Sequence, residues 1–341
     1  YNVAIGRNAL ATSTKSYNTA IGYGAMVNTT TTQYSTGIGY FALEELTTGD
    51  GNLAVGAVAL QANTTGNYNT AIGQGTLQAN VHGDGNVAVG YYALNDYAPA
   101  DDAGYNVAVG YKVMDKLTTG INNVGIGADA LGALTTGNYN VTMGHETLKT
   151  SVGAIYNVAI GHTAMRGYTQ ATAGYNVVMG AKAMYNIETG TNNVVVGDSA
   201  MYGKAGKDNT ENIAIGSSAL YTASGVSNTV AIGHGVMYNA TTGVKNVAIG
   251  AYALDALTTA SGNVAVGYNA LSASTTAHDN TGIGKDAGKL LTGAYNVIIG
   301  AEAAKSATAM ASSVVIGRQA GLSLTTSGRP GVIIGTSAGY N

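Results

Sequence analysis

His145 and His162 stand 17 residues apart, each directly after the glycine that ends a recurring phrase. If the phrases stack as strands, the two rings lie roughly 4.8 Å apart. Paired imidazoles are metal-ligand chemistry, but the same column elsewhere holds Tyr23, Tyr40, Tyr91 and Tyr111. A variable surface column is therefore the expectation, with no bound metal. Asp96, Asp101 and Asp102 form the densest carboxylate group. Paired carboxylates hydrolyse glycosides when a pocket holds the sugar between them, and clustered ones can hold calcium. A shallow loop offers neither enclosure, so a solvated loop is expected. Gly282-x-Gly284 is followed by no Gly-Lys-Ser/Thr, so it is no phosphate loop. No nucleophile–histidine–acid set stands apart from the repeat. The chain reads as a non-enzyme without a cofactor.

The elements that must position these groups repeat. Asn-Val-Ala-Ile-Gly and its variants occur twenty times, from Gly6 to Gly335, and thirteen of the nineteen spacings are 17 residues. A fixed period with β-type residues predicts stacked coils. The fold expected is all-β: one parallel β-solenoid (β-roll) domain over residues 1–341, about 20 coils of about 17 residues and about 95 Å long. Position 1 falls on the phrase itself, and no atypical capping repeat is visible, so the segment is expected to belong to a longer fibre.

Numbering from the phrase-ending glycine as 0, position −1 is Ile, Val or Met, −3 is Val, Ile, Leu or Thr, and −2 is mostly Ala or Gly. Position −4 is Asn in sixteen of twenty coils, +3 is Ala in sixteen, and +4 is Leu or Met in the first sixteen. Strand alternation sends −1 and −3 to one face and −2 and −4 to the other. Taking the larger β-branched side chains as the core, Ile5, Ile72, Ile160 and Ile249 are expected inside, beside Leu10, Leu77, Met165 and Leu254. The glycine turns a corner. The asparagines are expected to form a hydrogen-bonded ladder. The small residues at −2 would then form a flat stripe where another chain approaches, which nominates Ala20, Ala54, Ala88 and Ala248 as inter-chain contacts; packing of that face against a second sheet of the same chain is the plainer alternative. Late in the chain Gly288, Ala304 and Gly321 replace Leu at +4 while Ile298, Val315 and Ile333 appear at −2. Such an exchange of volume suits two columns that share one packed space.

Composition excludes several classes. Only 10% of residues are charged and the net charge is −3, with no basic run, so the positive footprint of a nucleic-acid binder is missing. There are two prolines and no Gly-X-Y period, which excludes collagen. The absence of cysteine rules out disulfide staples and thiolate metal sites. No apolar run approaches the 18 residues of a membrane helix.

The phrases Asn2-Val3-Ala4-Ile5-Gly6-Arg7-Asn8-Ala9 and Asn246-Val247-Ala248-Ile249-Gly250-Ala251-Tyr252-Ala253 resemble the head repeats of trimeric autotransporter adhesins, the YadA-like left-handed parallel β-roll. They are equally similar to repeats of bacteriophage tail-fibre shafts. The resemblance covers the whole chain. It implies an intertwined or side-by-side homotrimer at an extracellular location, on a cell surface or a virion, and a role in attachment to a host-surface glycan or protein. Coils near 17 residues exceed the family's usual fourteen, and neither stalk nor anchor accompanies them. The expected function is a structural and adhesive fibre. A self-assembling extracellular filament without a receptor is the alternative. An ice-binding solenoid is disfavoured because the threonines are adjacent and not Thr-x-Thr, and a polysaccharide-degrading enzyme lacks a pocket.

The longer spacings, 90 to 110, 161 to 180 and 197 to 216, place insertions on the polar return of the coil, where a partner would bind. Tyr97, Asp101, Asp102, Tyr168 and Tyr202 are the candidate partner-binding residues there, the tyrosines offering rigid amphipathic contact. Nine further tyrosines occupy −5, where a stacked ladder is expected.

Overall fold

The computed structural model describes residues 1–101, 103–204, 208–322, 324 and 331–339. Its strands are the phrases themselves. Twenty three-residue strands occupy −3 to −1, and no helix occurs among the described residues. The fold is an all-β parallel β-solenoid. The chain divides into two compact units, Tyr1–Gly174 and Tyr175–Asn341. The first carries β1 (Val3–Ile5) to β10 (Val158–Ile160), and the second β11 (Val177–Met179) to β20 (Val332–Ile334). In each unit strands pair in parallel at one-coil register, as in Leu53↔Thr70, Ala54↔Ala71 and Val55↔Ile72.

The faces are the reverse of the expectation. Ala20, Ala54, Ala88 and Ala248 at −2 are wholly buried within their own chain, while Ile5, Ile72 and Ile249 at −1 are 58%, 38% and 39% exposed. Ile160 is half-buried. The alanines are therefore core residues and cannot be inter-chain contacts. The reason is the width of the coil. A Cβ added at Gly37 would lie 2.9 Å from Met26 Cγ, and one at Gly282 would lie 2.6 Å from Leu271 Cγ. Position −2 thus packs directly on the +4 column, and the space between them holds one Leu or Met, not two β-branched residues besides. Leu77, Met165 and Leu254 are buried as expected, and Leu10 is half-buried. The exchange of volume is real as well: a Cβ at Gly288 would come within 2.8 Å of Ile298 Cδ1.

Buried asparagine shares the inner face with alanine because its amide is satisfied there. The Asn69 backbone N–H and Nδ2 both donate to Asn52 Oδ1, at 3.0 and 3.2 Å, and Nδ2 also donates to Gly83 O at 2.8 Å. The pattern repeats from coil to coil in both units, for example from Asn140 to Asn123 and from Asn263 to Asn246. Where Ser35 or Thr229 replaces Asn, its hydroxyl accepts the next N–H.

Three corners close each coil, at −5, +2 and +4, and all three take left-handed backbone angles. Leu43 (φ 53°), Leu60 (φ 50°) and Leu254 (φ 52°) do so without being glycine. Such a conformation costs on the order of 1–2 kcal/mol. Burying the leucine returns about 1.5–3 kcal/mol, and its N–H donates along the stack, as from Leu43 to Ala59 O at 3.0 Å. The glycine at 0 has no such freedom. Gly56 has φ 140°, and a Cβ there would meet Gly73 O at 2.5 Å. Glycines in the +2 and −5 columns follow another rule. Gly24, Gly51, Gly75, Gly85 and Gly235 are each covered by the ring of the aromatic residue one coil on: Phe41, Tyr68, Tyr92, Tyr105 and Tyr252.

Candidate functional site

Inverting the faces moves the candidate surfaces. On the outer face of every strand, −3 and −1 form two parallel columns of Val, Ile, Leu, Thr and Met that are half-buried or exposed throughout. In the first unit Ile72, Val141 and Met143 are exposed, and in the second Val177, Met179, Val194, Ile213, Ile215, Ile249 and Ile283. Strand pairing fixes the register of these columns rung by rung. Within each unit, a largely aliphatic face of this kind, with Thr at a few rungs, is uncommon for a free monomer.

The residues expected to meet a partner on the long loops do not all reach solvent. Tyr97 and Tyr168 are fully buried. Both stand at +7, a column that elsewhere holds buried Leu46, Leu117, Leu134, Ile187 and Leu257. The Tyr97 hydroxyl donates to Ala103 O at 2.9 Å, and burial raises its pKa well above the usual range. These tyrosines fill core space beneath the insertions and offer no ring to a ligand. The +7 pattern in the sequence carried that signal. Asp101 is exposed, and its carboxylate accepts the Ala103 N–H at 3.1 Å. Asp102 lies outside the described residues. Tyr202, at +5, is half-buried within a stack of rings.

Aromatic columns appear in three places. Tyr1, Tyr17 and Tyr34 stack at −5 with centroids 5.4 and 5.2 Å apart, as do Tyr139 and Tyr156 at 4.9 Å. Tyr23 and Tyr40, and Tyr91 and Tyr111, pair at +1. The longest run is Tyr185, Tyr202, Tyr221 and Tyr238 at +5 of the second unit, with centroids 5.2, 5.1 and 4.8 Å apart. Part of the +5 column of the first unit, Glu44 to Asn95, is instead a ladder of a carboxylate and three amides. Gln61 Nε2 donates to Glu44 Oε2 at 2.7 Å, Gln78 Nε2 to Gln61 Oε1 at 2.9 Å, and Asn95 Nδ2 to Gln78 Oε1 at 3.2 Å. A shallow groove of about 360 Å³ runs beside it.

His145 and His162 stack with centroids 5.4 Å apart and planes 10° from parallel. His145 also approaches Asp129 and Glu146, with ligand-type atoms within 4.8 Å of one another. Two cations already occupy that cluster. Lys149 Nζ lies 2.6 Å from Glu146 and 3.3 Å from Asp129, and Arg166 Nε lies 2.8 Å from Glu146. Hydrogen bonds from Lys149 and then Arg166 hold the Glu146 carboxyl down to about 2. A metal ion would have to displace Lys149, so the cluster reads as an ion-pair network. The threonine hydroxyls on the return turn are engaged too. Thr47, Thr118 and Thr258 donate to backbone carbonyls one coil on, which takes them out of any ordered array facing water.

The class these observations define is a parallel β-solenoid with an aliphatic outer sheet face. No protein-family model matches the chain, and neither a curated protein nor a solved structure matches it.

Proposed function

We propose that this chain is a structural and adhesive fibre segment that assembles side by side with two further copies of itself through the −3 and −1 columns. The supporting observation is the twin aliphatic column on every strand, left open by a chain that buries its own alanines. A partner for such a face must repeat apolar groups at the same coil spacing and over many rungs. Another copy of this chain meets that requirement. The number three, attachment as the purpose, and a cell-surface or virion location follow the resemblance of the repeat phrase. The low charge of the chain agrees with a surface meant for association.

Sedimentation velocity of the full chain tests the assembly. The native chain should sediment with the mass of three copies. Ile72→Asp and Ile249→Asp, one in each unit, should shift it to one copy with an unchanged far-UV spectrum, because both side chains already face outward. A native chain that stays monomeric at high concentration ends the assembly reading.

A further inference from the structure

The tyrosine stack of the second unit stops at Tyr238, because the next residue in its column is Asp255. Tyr221 covers one face of the Tyr238 ring, with planes 4° from parallel. No ring follows on the other. Two residues of sequence shape the space beside it. Gly235 leaves a gap in the +2 column after Ser218, and the Tyr252 ring leans over that gap, 3.0 Å from where a Cβ would stand. His234 meets the Tyr252 ring edge-on, with centroids 5.3 Å apart at 88°. The result is a cleft of about 170 Å³ over Gly235, lined by Ser218, His234, Tyr238, Asn239, Tyr252 and Asp255. It is far smaller than the roughly 300–1,000 Å³ of a pocket for drug-sized ligands. Its occupant is a single ring.

The lining limits the chemistry of that ring. Two tyrosines, 37% and 38% exposed, offer apolar faces with polar tips. Asp255 is half-buried and makes no salt bridge among the described residues. Desolvation holds its carboxyl above the usual range, against backbone hydrogen bonds from the N–H groups of Ala256 and Asp255 that lower it. Asn239 Nδ2 donates to Asp255 O at 2.9 Å, and its side-chain oxygen is a further acceptor. Ser218 and His234 add groups that both donate and accept. No lysine or arginine lines the cleft, so an anion has no partner there and Asp255 repels it. A purely apolar ring would take the remaining lone pairs of the carboxylate out of water and bring no new donor to them. A ring with an apolar face and a rim of hydroxyls satisfies every group.

We propose that this cleft binds one pyranose ring of a neutral glycan, its C–H face against Tyr238 and Tyr252 and its hydroxyls on Asp255, Asn239 and Ser218. This deepens the adhesive part of the proposed function and does not depend on self-association. It also moves the partner-binding surface away from the inserted loops.

The test uses the full chain and saturation-transfer NMR with the methyl glycosides of glucose, galactose, mannose and N-acetylglucosamine, and with choline chloride as a cationic probe. At least one glycoside should bind at millimolar concentration. Tyr238→Ala and Asp255→Asn should each weaken that binding at least tenfold, while Tyr68→Ala in the first unit leaves it unchanged. Asp255→Asn keeps the volume of the side chain, so it reports on the cleft even where Tyr238→Ala disturbs the stack. Binding of none of the glycosides, glycoside binding indifferent to both variants, or binding of choline alone would overturn the proposal. Sedimentation of the same samples separates the two readings. Glycoside binding by a monomer removes the assembly and keeps the cleft, and an assembled chain blind to glycosides does the reverse.

Discussion

The +5 column carries hydrogen-bonded amides in the first unit, Glu44 to Asn95, and stacked phenols in the second, Tyr185 to Tyr238. The backbone beneath the two is the same coil. Within these two runs neighbours one coil apart are matched, since amides and flat rings each interact well with their like at a spacing near 5 Å, whereas outside the runs the column holds unlike residues such as Val27, Asp115 and Gly132. The columns at 0 and −4 differ from this. There the requirement is set by the backbone, and both units answer it with glycine at 0 throughout and with asparagine at −4 in most coils.

Substitution where the units agree should have the largest effect. Gly56→Ala places a Cβ on the Gly73 carbonyl at φ 140°. It should destabilise the first unit by more than about 4 kcal/mol, in the range kept for backbone collision, as read by urea unfolding. Asn123→Ala and Asn246→Ala come next. Each strips the acceptor from a buried N–H and a buried amide of the following asparagine. Each should cost about 2–4 kcal/mol by the desolvation of those donors, and equally in the two units. A clear inequality would break the idea that this column is indifferent to its unit.

Substitution where the units differ should sharpen the contrast. Tyr221→Ala removes two ring pairs and should cost about 1–3 kcal/mol. Gln61→Ala removes two exposed-side hydrogen bonds and should cost about 1 kcal/mol. The distinguishing result is Tyr221→Gln, which should be no better than Tyr221→Ala because its neighbours remain rings. If Gln at 221 restores stability, the column does not select for like neighbours. The smallest effect concerns pH. Hydrogen bonds from Lys149 and Arg166 hold the folded-state Glu146 carboxyl at about 2, below its unfolded value. Its contribution is therefore full above about pH 4.5 and is lost as pH falls toward 2. Glu146→Gln should remove that acid sensitivity, and a thermal-melting series over this pH window reads it.

The period, the strand positions and the asparagine ladder were legible in the sequence because each rests on local rules repeated many times. The face was not legible at Ile5, Ile72 and Ile249 from aliphatic character, because that alone does not distinguish the interior of a chain from an apolar outer face. A deciding signal was present. Asparagine at −4 has the same parity as alanine at −2, and a ladder of amides needs shielding from water to persist. The exchange of volume between Gly288 and Ile298 also placed −2 against +4. Tyr97 and Tyr168 stand at the start of insertions, yet the leucine column at +7 that they occupy sets their burial. The cleft at Tyr238 was not legible, since it joins residues at +1, +2, +5 and +6 from three coils. Their adjacency depends on how each corner turns.

The covered glycines have a consequence for how such a chain lengthens. At +2, Gly24, Gly75 and Gly235 are each followed one coil later by Phe41, Tyr92 and Tyr252, and no other aromatic residue occupies that column. Each ring rests on the bare backbone of the coil before it. Deleting the segment that holds Tyr92 alone takes the covering ring from Gly75, and inserting a coil between the two separates the ring from the backbone it rests on. At these places the heritable cassette is two coils, not one. Recombination between copies keeps these contacts only when its breakpoints leave glycine and ring together.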